Sequence, residues 1–109
     1  MKTDKLLSLL GMCRKANRLS CGHDGAVGAI RSGKAKLCLL SSDSSDRLRK
    51  ETERELEYKK EKIPLAVTKY SMIEIGNATG LKSAVVTVDD EGFAKAMLSL
   101  LETEEEVNG

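Results

Sequence analysis

A chain of 109 residues, 40% of them apolar and 32% charged, is the size of one domain and has enough apolar mass for its own core. Its only aromatic residues are Tyr58, Tyr70 and Phe93, which argues against the sheet-based RNA binders that stack bases on a platform of rings. The net charge of +1 conceals an asymmetry: residues 1–50 carry 11 Lys/Arg and 4 Asp/Glu, and residues 51–109 carry 7 and 13. A basic half can face phosphates while an acidic half faces away.

No stretch approaches the run of about 20 apolar residues that spans a bilayer. The apolar start, Met1 to Leu10, is short and lacks a small-residue cleavage site, so a cytoplasmic protein without a membrane partner is expected. The cysteines, Cys13, Cys21 and Cys38, are odd in number and show no CxxC spacing. They are expected to be reduced and metal-free, and no cofactor is expected.

Leu6, Leu9, Leu10 and Cys13 recur at helical spacing, so Thr3 to Ala16 reads as an amphipathic helix starting near Thr3 or Asp4. Arg14, Lys15 and Arg18 crowd its end, where cations suit the helix dipole. Ser20 to Asp24 reads as a turn leading into a second helix. Ala26, Val27, Ala29 and Ile30 form the apolar face of that helix, and Gly33 closes it. Leu37 to Leu40 is a short, wholly apolar run, the pattern of a strand covered on both faces.

Ser41 to Asp46 is rich in capping residues and opens a charged helix reaching about Lys62. Its apolar stripe is thin: Leu48, Thr52, Leu56 and Lys59. The spacing predicts pairs Arg47–Glu51, Arg49–Glu53 and Glu55–Lys59 along its outside. After Pro64, Leu65 to Val67 is a second strand, and Ser71 caps a short helix with Met72, Ile73 and Ile75. Gly76 and Gly80 interrupt the chain, and Ala84 to Val88 is a third, β-branched strand. Phe93, Ala96, Met97, Leu100 and Leu101 mark a last helix. Residues 102–109 are acidic with one apolar residue, Val107, and are expected to form a disordered tail after a domain spanning 1–101. Alternating helices and strands predict an α/β fold, a three-layer α/β/α sandwich around a mixed sheet.

Little here points to catalysis. His23, Asp24 and Cys21 are close in sequence, but neighbours at a helix start point apart, and a nucleophile needs its base within hydrogen-bond reach. The glycines at 22, 25 and 28 spell G-x-x-G-x-x-G. A nucleotide loop would need a strand immediately before them, and the first helix ends only a few residues earlier. A helix N-terminus still attracts phosphates, and a glycine at 22 lets a nucleic-acid backbone come close. Ser41 to Asp46 is likewise a helix start after a buried strand, where ligand sites collect in α/β sheets. Gly80-Leu81-Lys82-Ser83 precedes the last strand. Periodicity does not say whether these three segments meet.

Gly22, the run Arg31-Ser32-Gly33-Lys34-Ala35-Lys36-Leu37, Leu40 to Asp43, and Gly76-Asn77-Ala78-Thr79-Gly80 together resemble the kink-turn-binding ribosomal-protein family, the "L-seven-A-e" family. Leu9-Leu10-Gly11 and Asp90-Glu91-Gly92-Phe93-Ala94 are similar to its bacterial YlxQ-like branch. The resemblance covers about residues 3–101. It implies a four-stranded α/β/α sandwich whose three loops converge on the sheared G·A pairs and one flipped-out base of a sharply bent RNA.

In the family, the glycine matching Gly22 is followed by an Asn-Glu pair that reads guanine edges and, three residues later, by a lysine. Asp24, Gly25 and Gly28 occupy those positions here, and Cys21 replaces the basic residue that commonly precedes the glycine. An Asp accepts from guanine but cannot donate, and glycines supply no side chain. Phosphate positioning by Gly22, Lys34, Lys36, Lys82 and the amides near Asp43 is easier to support than base readout. Leu81 matches the residue packed against the flipped base, and His23 and Ser83 complete the candidate set. The resemblance implies a non-enzymatic RNA-binding protein, its partner a kink-turn-like or ribosomal RNA and the ribosome itself. The alternative is a protein-interaction module on the same scaffold that has lost kink-turn binding.

Overall fold

The computed structural model describes residues 4–58 and 62–108. Its elements are α1 (Lys5–Lys15), β1 (Leu19–Cys21), α2 (Gly22–Ser32), β2 (Leu37–Leu40), α3 (Asp46–Glu57), β3 (Leu65–Val67), α4 (Met72–Thr79), β4 (Val85–Val88) and α5 (Glu91–Asn108). The strands form one four-stranded sheet in the order β1-β4-β2-β3. β2 and β3 pair in parallel, while β4 runs antiparallel to both β1 and β2.

Strand side chains alternate between faces, and the core divides accordingly. Leu37, Leu39, Val86 and Val88 join Leu6, Leu10 and Cys13 of α1, Ile75 of α4 and Met97 of α5. Cys38, Leu40 and Val85 point the other way, against Ala26 of α2 with Leu48 and Leu56 of α3. Three helices therefore cover one face and two the other, the expected α/β/α sandwich with a mixed sheet. Every residue of β2 and β4 is buried, as strands covered on both sides must be.

Local chemistry sets the boundaries. The Asp4 carboxylate caps α1 by accepting from Leu6 N (3.0 Å) and Leu7 N (3.2 Å), and it accepts from the Tyr70 hydroxyl as well. Burial opposes its charge, but the bonds from Tyr70, Leu7 and Leu6, with Lys69 nearby, outweigh it and hold the carboxyl below its usual range. Gly33 ends α2 in the left-handed region, φ 81°, as expected. Ser45 caps α3, and Ser71 and Glu74 form a reciprocal capping box on α4.

The segment Ser20 to Asp24, expected as a turn, instead holds the end of β1 and the first residues of α2. That strand exists because Leu19, Ser20 and Cys21 find Val88, Thr87 and Val86 across the sheet. The helix expected to reach Lys62 ends at Glu57. Arg47 and Glu51 pair at 3.2 Å as predicted. Glu55 binds Arg31 of α2 (2.9 Å), and the expected partner Lys59 lies outside the described residues. Arg49 turns away from Glu53 toward the loop before α3, donating to Ser44 Oγ (3.0 Å) and Ser42 O (3.2 Å). α5 continues to Asn108 where a structureless tail was expected from residue 102. Glutamates propagate a helix well, so an acidic run can extend one.

Candidate nucleic-acid interface

β1, β2 and β3 point the same way and β4 the opposite way, which decides what meets at each end of the sheet. Cys21 lies beside Val86, and Leu40 lies between Val85 and Val67. One end therefore receives the start of α2 at Gly22, the β2–α3 loop at 41–45, the β3–α4 turn and the α4–β4 loop at 80–84. Backbone bonds lock these segments together: Ser41 N donates to Ala84 O (2.8 Å), and Ser42 N donates to Tyr70 O (2.7 Å). The three loops left unconnected by sequence periodicity form one surface.

The α4–β4 loop is the most heavily braced part of it. Thr79 Oγ1 shares its one proton between Ile75 O (2.9 Å) and Leu81 O (3.1 Å) and accepts from Leu81 N (3.2 Å). Ser83, itself buried, donates to Leu81 O (3.2 Å). Gly76 permits the fold-back, since a Cβ there would sit 2.9 Å from Lys82 Cα. The result is a fixed loop that presents Leu81, 44% exposed, and Lys82 to solvent.

The start of α2 is different. Gly22 has φ +84°, a conformation that L side chains rarely adopt, so its identity follows from the turn between β1 and α2. Asp24, Gly25 and Gly28 are exposed, and a Cβ at Gly28 would meet nothing within 4 Å. This half of the surface is bare backbone plus one carboxylate. His23 lies between two acids, with Nδ1 at 3.6 Å from Asp24 and Nε2 at 3.4 Å from Glu51 of α3. Burial raises the Cys21 thiol, tempered by the Arg14 charge and the Ser83 hydroxyl, so it is no ready nucleophile. The strand that a nucleotide loop would need does precede Gly22, contrary to expectation, although the glycine spacing still differs from a phosphate-binding fingerprint.

Asp43 serves the architecture. Its Oδ1 accepts from Met72 N (3.1 Å), clamping the β2–α3 loop to the start of α4. The neighbouring Ser41 hydroxyl first, then the N–H groups of Met72 and Asp43 itself and the charge of Lys82, hold its carboxyl below the usual range against the cost of desolvation. Ser41 acts here as a nearby dipole, for its buried Oγ meets no atom in full hydrogen-bond geometry.

Lys34 and Lys36 do not join this surface. Lys36 N donates to Val88 O (2.8 Å), which fixes it before β2, at the opposite end of the sheet. There Lys34 and Lys36 line a hollow with Asn17, Arg18 and Asp89. A four-residue strand separates the two ends by roughly 13 Å. The likeness of the segment 31–37 carried the lysines into the expected set, but the register of β2 carries them away. Arg49, by contrast, was assigned to an ion pair and instead lies over the β2–α3 loop; no periodicity could have signalled it.

A sequence model of the ribosomal protein L7Ae/L30e/S12e/Gadd45 family matches residues 4–98. The chain belongs to that family. It is 34% identical over 95 residues to the "RNA-binding protein YlxQ" of Bacillus subtilis, covering 86% of this chain and 92% of the relative. It is 29% identical over 98 residues to the protein of the same name from Enterococcus faecium, covering 90% and 92%. A solved structure of a protein of unknown function from Bacillus halodurans superimposes with a TM-score of 0.83 at 30% identity, over 92% of this chain and 99% of that one. A 15.5 kD RNA-binding protein of Giardia lamblia shares the fold with a TM-score of 0.69 at 16% identity, over 94% and 92%. Among the described residues, no helix is long and apolar enough to cross a membrane, and no group of three or more His, Cys, Asp or Glu is placed to hold a metal ion.

Proposed function

We propose that this chain is a non-enzymatic, cytoplasmic RNA-binding protein of the L7Ae family that grips a sharply bent, kink-turn-type RNA and works in association with the ribosome. The observation carrying this reading is the convergence of residues 22–28, 41–45 and 80–83 at one end of the sheet, in a chain whose relatives are named RNA-binding proteins. The braced loop offers Leu81 to an unstacked base and Lys82 to a phosphate. The amides at the start of α2 suit a second phosphate. Lys34 and Lys36 lie too far away to share that bend.

The exposed glycines at 25 and 28 favour a second reading, a protein-interaction module on the same scaffold. Filter-binding titrations against a kink-turn RNA and a straight duplex of equal length, at several salt concentrations, separate the two. The RNA reading expects tighter binding to the kink-turn at every salt. Equal binding to both RNAs, with a steep common salt slope, would reduce the chain to a non-specific cation surface. No binding to either would favour the interaction module.

A further inference from the structure

The loop end of the sheet carries few cations: Lys69, Lys82 and Arg49 stand against Asp24, Asp43, Asp46 and Glu74. Further cations lie next door, on a helix that carries acids as well. α3 begins at this end, directly after the 41–45 loop, and runs away from it. Its buried edge is Leu48, Thr52 and Leu56. On the outward side Arg47, Lys50, Arg54 and Tyr58 follow at steps of three and four, a stripe flanked on one side by the exposed acids Asp46, Glu53 and Glu57. At 1.5 Å per residue the stripe is about 16 Å long.

All four residues are exposed, and Arg47, Lys50 and Arg54 line one shallow depression with Glu51. Arg47 pairs with Glu51, but Glu51 also reaches His23 on α2 and is drawn to that side. Among the described residues neither Lys50 nor Arg54 has an acidic partner within 4 Å. Tyr58 is 79% exposed and holds helical backbone at the C-cap, φ −72°, ψ −16°. The other tyrosine is buried, so Tyr58 alone offers an open tyrosine ring.

Cations in a row ending on a free aromatic face are the parts of a single-stranded nucleic-acid track: charges follow the backbone and the ring takes an unpaired base. We infer that the outer face of α3 is a track for a single-stranded flank of the RNA, leading it away from the bent element held by the loops. Arg47, Lys50 and Arg54 contact successive phosphates, and Tyr58 stacks on a base at the far end. A paired stem would use the cations but leave the ring idle. This inference rests on the RNA-binding reading above and adds a second, separable part of the footprint.

The test uses the full chain, its Lys50→Gln/Arg54→Gln and Tyr58→Ala variants, and three RNAs. One is a blunt kink-turn, one carries an unpaired tail of about six nucleotides, and one carries a paired extension instead. Glutamine keeps the helix propensity of the positions it replaces, and circular dichroism confirms the fold. The tail is expected to tighten wild-type binding. Both variants should keep wild-type affinity for the blunt RNA and lose the gain from the tail, Tyr58→Ala by about fivefold or more. The double variant should also lower the salt slope on the tailed RNA by about 1.4, for two phosphates of a single strand. If the wild type fails to bind blunt RNA, the RNA-binding reading itself falls. If it binds blunt RNA but gains nothing from the tail, this inference alone falls. Equal losses on blunt and tailed RNA, or a paired extension that helps as much as the tail with Tyr58→Ala neutral, would overturn it too.

Discussion

The two halves of the candidate interface are built on opposite principles. The α4–β4 loop is over-determined: the Thr79 hydroxyl alone engages Ile75 O, Leu81 O and Leu81 N, and Gly76 lets Lys82 press against the helix. The start of α2 is under-determined: outward positions 24, 25 and 28 offer one carboxylate and two hydrogens. A braced loop fixes where a ligand sits, whereas side chains on a helix face decide which ligand it is. This chain retains the first device and has little of the second, so its shape recognition should exceed its base readout.

Gly76→Ala probes the braced half most harshly. Its Cβ would meet backbone at Lys82, so the loop must shift, and overpacking of this kind costs about 1–3 kcal/mol. Urea denaturation should show a lower midpoint with an unchanged slope, and RNA affinity should fall with it. An undamaged variant would mean the loop is looser than its contacts imply. Thr79→Val keeps the shape and removes the hydroxyl, leaving Leu81 N without that partner. A loss of about 1–2 kcal/mol is expected, and amide exchange at Leu81 should accelerate.

Asp24→Asn with Gly28→Lys sharpens the other half. Replacing a mid-helix glycine should stabilise by about 0.5–1 kcal/mol, read as a higher melting temperature. Kink-turn affinity should rise and its salt slope steepen by about one counterion for a new phosphate contact. A straight duplex should gain less. If both RNAs gain alike, the change is electrostatic and this face reads no shape.

Acid stability sets a smaller effect at the joints. The Asp4 and Asp43 carboxyls are depressed in the folded state. The stability each contributes is present above the ordinary carboxylate pKa of 3.8 and is lost as pH falls through the lower folded values. Acid unfolding should therefore steepen below about pH 4, and Asp43→Asn should flatten that limb. The thiols provide the mildest check. Burial pushes Cys13 and Cys38 up to about 12, Cys13 with added repulsion from Asp89 and Asp90. Both should resist alkylation in the folded protein at pH 8 until it is denatured, while the half-buried Cys21 reacts first.

Legibility in the sequence followed the range of the interaction concerned. Long periodic helices, the fully apolar β2 and the sandwich class were readable, because each is encoded in neighbouring residues. The mixed sheet followed from the alternation of helices and strands, and the count of four strands was implied by family resemblance. β1 was hidden because Leu19-Ser20-Cys21 has no strand character of its own and is made a strand by β4, some sixty-five residues away in sequence. The same register separated Lys34 and Lys36 from the loops. Two of the three loops were named as candidates from capping and glycine chemistry, but their union depends on strand direction. Arg49 was unreadable, since an acid at i+4 and a serine in the preceding loop compete for one guanidinium and only geometry decides.

On the reading proposed above, one end of the sheet holds a bent RNA. Amide shift mapping of the labelled protein during titration with a kink-turn RNA tests it most directly. Saturable perturbations are expected at residues 22–28, 41–45 and 80–84, with 33–36 unaffected by a minimal blunt RNA. Perturbations centred on 33–36 at the opposite end, or none at all, would contradict it.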